Sequence, residues 1–140
     1  VLPQPWGDLI DGLSHEFPLV ERKAAWLCFG WPSDKPEQTV QVNCLRANQL
    51  MRVIVTADIC AADLVSARAA LELGAHLLFG AMIVRRGVLS LRHIYTEGRF
   101  TRAQLREAIV LLRDNALLVR ARLEELKASV AGTAYDAFKY

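Results

Sequence analysis

Hydrophobic positions along the chain recur with two periods, and each change of period marks an element. Trp6, Leu9, Ile10, Leu13 and Phe17 fall at i, i+3, i+4, i+7 and i+11, one side of a helix that Pro18 closes. Gly7 and Gly12 weaken this helix by about 1 kcal/mol each relative to alanine, so it holds only by docking. From residue 23 to 31 the period becomes two. Ala24, Trp26, Cys28 and Gly30 face one way and Ala25, Leu27, Phe29 and Trp31 the other, a strand with large side chains on both faces. Turn-forming residues 32–36 lead into 37–45, where Val40, Val42 and Cys44 oppose Thr39, Gln41 and Asn43. The β-branched run over 50–59 supplies a third strand, and the short links predict an antiparallel meander.

Beyond it, Asp58 or Asp63 can cap a helix by accepting the free N–H groups of its first turn. That helix carries Leu64, Ala67, Leu71 and Ala75 in line, and Gly74 or Gly80 ends it. A hairpin follows, 78–84 and 88–95, with Gly87 supplying the positive φ of a two-residue turn. Thr101 and Gln104 have the spacing of a capping box. After it, Leu105, Ala108, Ile109, Leu112, Ala116, Val119, Leu123 and Leu126 form an unbroken helical stripe. The predicted order is α-β-β-β-α-β-β-α, an α+β fold with an antiparallel sheet of about five strands and helices packed on it. Residues 1–128 are expected to form one domain and 129–140 a C-terminal tail.

Composition adds limits rather than an activity. With 53% hydrophobic and 23% charged residues the balance is that of a globular domain. No apolar run approaches the roughly 20 residues that cross a bilayer, and none reads as a signal peptide, so a soluble, cytoplasmic protein is expected. Cys28, Cys44 and Cys60 form no zinc-ligand cluster and suit small buried thiols in a reducing compartment. The net charge of +2 is uneven: residues 1–84 hold six Lys/Arg against nine Asp/Glu, whereas 85–122 hold nine Arg against three acids. That block points to an anionic partner or patch.

Two sets on the last helix carry this further. Val110, Leu111, Leu117 and Leu118 lie away from the stripe, so another element, a second subunit or a partner must cover them. Arg102, Arg106, Arg113 and Arg120 form a basic strip beside it, either a solvated face or a site for acidic protein segments. Nucleic acid ranks last as its partner, since no helix-turn-helix or stacking aromatic set accompanies it. Trp31, beside the proline-flanked loop, is a candidate surface anchor. No nucleophile elbow, P-loop, zinc-protease or dinucleotide motif is present, so no catalytic residue, metal or cofactor is expected. An alternative is a small ligand-binding protein or enzyme using His93 with a cysteine or Arg92.

Over residues 78–128, the strand, glycine turn, second strand ending in Leu91-Arg92-His93, short loop and amphipathic terminal helix resemble class I type III secretion chaperones and the bacterial sensory-transduction-regulator (YbjN-type) family. The resemblance implies a secretion-chaperone-like fold and a non-catalytic homodimer that binds a polypeptide segment of a secreted effector or regulatory target. The contact residues that the pattern itself offers are Val110, Leu111, Leu117 and Leu118, with the arginine strip and Trp31.

Overall fold

The predicted meander forms and is longer by one strand. The computed structural model describes residues 4–34, 37–96 and 98–131. The backbone runs α1 (Gln4–Leu13), β1 (Leu19–Lys23), β2 (Trp26–Trp31), β3 (Gln38–Ala47), β4 (Leu50–Ala61), a 3₁₀ turn Ala62–Leu64, α2 (Ala67–Ala75), β5 (Ala81–Arg85), β6 (Val88–Thr96) and α3 (Arg102–Ala131). All six strands pair antiparallel in the order β1-β2-β3-β4-β6-β5. Residues 132–140, most of the expected tail, lie outside the described residues, while 129–131 belong to α3.

The strand missed by periodicity is β1. Its five residues, Leu-Val-Glu-Arg-Lys, are all exposed, so no buried face imposed an alternating pattern on them. The turn at Ala24 and Ala25 pairs Lys23 with Trp26. Two tight turns fix the rest of the register: Asn48 and Gln49 between β3 and β4, and Arg86 and Gly87 between β5 and β6, all four with positive φ. Gly87 takes that role as predicted.

One face of the sheet is the core. Leu27 and Phe29, Val40 and Val42, Val53, Val55 and Ala57, and Leu89 and Leu91 point from four adjacent strands at the α3 stripe. Leu105, Ala108, Ile109, Leu112, Ala116, Val119 and Leu123 are all buried there, and Leu126 is half-buried. Each fully buried large side chain contributes roughly 1.5–3 kcal/mol, which is what fixes α3 on the sheet. The capping box closes as predicted, the Gln104 amide N–H donating to Thr101 Oγ1 at 3.2 Å and the Thr101 N–H to Gln104 Oε1 at 2.8 Å. Trp6, Ile10 and Leu13 of α1 join the same core, and the Trp6 indole donates to the Ala24 carbonyl.

The second helix departs from expectation at both its start and its face. Its cap is Ser66, whose hydroxyl accepts from the Ala69 N–H, because Asp58 lies within β4 and Asp63 within the 3₁₀ turn. The line Leu64, Ala67, Leu71 and Ala75 faces outward, while Ala69 is buried and Ala70 and Leu73 pack against the core. Among the described residues, no helix is long and apolar enough to cross a membrane.

Candidate functional site

The helix geometry that buries the α3 stripe leaves its opposite side outward. Val110 and Leu118 are 39% and 58% exposed, and Leu111 and Leu117 are half-buried at the margins of the same face. The first helix does not cover them; it docks elsewhere in the core through Trp6, Ile10 and Leu13. Leu111 and Leu118 bracket Asn115, one turn to either side. The Asn115 side-chain amide donates to the Phe79 carbonyl, which brings the segment after α2 alongside α3. Leu78 in that segment is fully exposed, as are Leu64 and Leu71 near and on α2 and Val84 on β5 in large part. These four were not among the sequence candidates. Leu64 and Leu71 stand in the one apolar line the sequence shows there, and no local signal marked that line as the outward one while Ala69 and Leu73 dock the helix.

The arginine strip has an intramolecular use. Arg102 donates to Glu16 at 2.6 Å, and Arg106 approaches the same carboxylate at 4.0 Å. Arg113 forms a fork on Asp34, Nε to Oδ2 at 3.2 Å and an Nη to Oδ1 at 2.9 Å, with its guanidinium 4.9 Å from the Trp31 ring. Arg120 donates to the Ile59 and Asp58 carbonyls, where the β4–β6 register shifts between Asp58 and Cys60 and leaves these oxygens outside the regular ladder. Burial lowers the Arg120 pKa, and Cys60, Asp34 and Asp58 oppose that shift. The strip therefore ties α3 to the α1–β1 link, the β2–β3 loop and the β4 bulge. Arg102, Arg106 and Arg113 thus meet carboxylates of their own chain, a structural use for the strip, while the Arg102 and Arg106 side chains stay 53% and 61% exposed. Trp31 is likewise engaged within the subunit, half-buried between Arg113 and an edge-on contact with Phe17.

Arg113 gives a direct test of that structural use. Asp34 is only 11% exposed at its side chain, so Arg113→Ala strands a desolvated carboxylate and is expected to destabilise the fold by about 2–4 kcal/mol. Arg113→Lys keeps the charge but not the fork, and should recover less than half of that loss in a urea unfolding series.

His93 lies on the helix side of β6 among apolar neighbours, as its alternation with Leu89, Leu91 and Tyr95 predicts. Its ring stacks on Phe79 at 4.4 Å and meets Tyr95 edge-on at 4.5 Å. Arg92, the polar neighbour offered with it, alternates to the opposite face of β6. Burial lowers the His93 pKa below its ordinary 6.5, so the unfolded chain binds the proton more readily than the folded one. Its contribution is complete above pH 6.5 and is lost as the pH falls toward the folded-state pKa. His93→Gln should flatten this part of the stability profile, measured as the unfolding midpoint between pH 7 and the acid limb.

Cys28 and Cys44 are buried, Cys60 is half-buried, and all three are thiols. Burial, then the nearby charges of Asp58, Glu21 and Glu37, raise the Cys28 pKa, which disfavours the thiolate a nucleophile requires.

The fold is similar to that of a chain in the crystal structure of the ExsC–ExsE complex, with a TM-score of 0.63 over 87% of this chain and 96% of that one, at 15% identity. No family model matches, and no curated protein gives a significant match. The six-stranded antiparallel sheet with its helices is thus an α+β fold similar to the one in that complex.

Proposed function

We propose that this chain is a non-catalytic protein-binding module, chaperone-like in its action, that works as a homodimer and holds a polypeptide segment of a secreted effector or a regulatory target. The observation that carries the reading is the apolar surface its own fold leaves in water: Val110 and Leu118 on α3, with Leu64, Leu71, Leu78 and Val84 on the α2–β5 side. Scattered leucines are ordinary on a surface, but here the Asn115–Phe79 hydrogen bond holds the segment that carries Leu78 alongside α3. Such a face matches the apolar centre of a subunit interface.

Two sheet edges remain for a bound segment. Strand β1 is guarded by Glu21, Arg22 and Lys23, whereas β5 carries Ala81, Met82, Ile83 and Val84. Backbone pairing at β5 supplies affinity without regard to sequence, as strand addition does elsewhere. A structural neighbour crystallised as a complex of two proteins supports the same reading.

Size-exclusion chromatography with light scattering over a dilution series tests the dimer. A mass of twice 15.6 kDa that dissociates on dilution is expected. A strict monomer at every concentration overturns it.

A further inference from the structure

The face of the sheet turned away from α1 and α3 carries a groove of about 370 Å³. Trp26 of β2, Gln41 of β3, Thr56 and Asp58 of β4, and Arg85 and Arg86 at the β5–β6 turn line it. The register puts these side chains on one surface, because Trp26 stands opposite Asn43, Gln41 opposite Thr56, and Asp58 opposite Ser90. From β2 across to β5 is four strand spacings, about 19 Å. An extended chain of roughly five or six residues covers that distance.

Its charges are arranged unevenly. Asp58 holds the Ser90 hydroxyl at 2.9 Å, which occupies one carboxylate oxygen on the groove floor. Arg85 and Arg86 are exposed, and among the described residues neither has an ion-pair partner. On α3, by contrast, Arg102, Arg106 and Arg113 face acids of this same chain and Arg120 faces its carbonyls. Arg86 also stands at the first central position of its turn with φ +52°, a conformation that asparagine or glycine adopts with less strain. An arginine there is poorly explained by the turn and well explained by where it places a guanidinium.

We infer that this groove binds an extended acidic polypeptide segment, its carboxylates taken by Arg85 and Arg86 and its backbone and small polar groups by Gln41 and Thr56, against the Trp26 ring. The inference rests on the protein-binding reading and gives it a partner chemistry. Acid selection, expected of α3 from sequence, belongs to the hairpin turn on the other side of the sheet.

The test is fluorescence anisotropy with two labelled octapeptides, one alternating Glu and Thr and one alternating Lys and Thr. The intact chain and an Arg85→Gln/Arg86→Gly double variant are compared. Glycine suits the positive φ at 86, so the variant keeps its turn, and its unfolding midpoint is recorded beside the binding. The acidic peptide should bind with salt-sensitive affinity and lose about tenfold or more in the double variant, while the basic one binds weakly. Equal binding of both peptides, or an unchanged acidic affinity in the variant, overturns the acidic groove and leaves protein binding standing. If neither peptide binds, the groove is overturned too, and a strict monomer by light scattering in the same samples then removes the wider reading as well.

Discussion

Gly80→Ala is expected to destabilise the fold by about 2–4 kcal/mol, although it adds a single methyl group. Gly80 has φ +83°, where a Cβ costs about 1–2 kcal/mol by crowding its own backbone. That Cβ would stand 2.6 Å from Cδ2 of Leu112, a fully buried side chain at the centre of the α3 stripe, and forced overpacking adds about 1–3 kcal/mol. Leu112→Ala alone removes the obstructing methyl and opens a cavity, losing about 2–5 kcal/mol. The two changes share one cause of strain, so they should not add. In the Leu112→Ala background Gly80→Ala retains only its backbone penalty, and a double-mutant cycle in urea should show a coupling of about 1–3 kcal/mol. Strict additivity would mean that α3 and the segment after α2 do not meet as described.

The same contact separates what the sequence made legible from what it did not. Leu112 was identifiable as a core residue because it belongs to a stripe whose every member repeats at helical spacing, and the capping box fixed where that helix begins. Local chemistry also gave the Arg86-Gly87 turn, since glycine at a two-residue corner has one ready explanation. What stayed hidden was set by partners far along the chain. Nothing near Arg113 announces that its fork closes on Asp34, 79 residues earlier, nor does anything near Arg120 announce a bulge in β4. Spacing alone showed four arginines on one flank and could not tell a solvated flank from one facing acids of the same chain. Strand β1 escaped for the complementary reason: a strand exposed on all its residues has no burial pattern to read. The α3 outer set was legible because an amphipathic helix needs one apolar face, so a second is visible as excess. Leu64 and Leu71 satisfied the single-face expectation for α2 and therefore concealed that they are the exposed ones.

Replacing both Val110 and Leu118 with aspartate is expected to weaken self-association by roughly 100-fold or more while leaving the isolated subunit folded. The asymmetry follows from exposure. Both side chains are in contact with water on the single subunit, so substitution there removes only part of a side chain's burial, and the change in its own unfolding free energy should stay within about 1–2 kcal/mol. An interface buries only the part still exposed, 39% of Val110 and 58% of Leu118, worth roughly 0.6–1.2 and 0.9–1.7 kcal/mol, and an aspartate in its place must also be desolvated without a partner. A two-fold interface presents every residue twice, so even the lower figures, taken on both subunits, come to about 3 kcal/mol before that desolvation, more than the 2.7 kcal/mol or so that a 100-fold change represents. Leu71→Asp provides an independent arm on α2: if both helices belong to one dimer surface, it should shift the same dissociation midpoint in light scattering. A dimer whose midpoint ignores all three substitutions places the interface elsewhere, and the outward face of α3 then has no part in self-association.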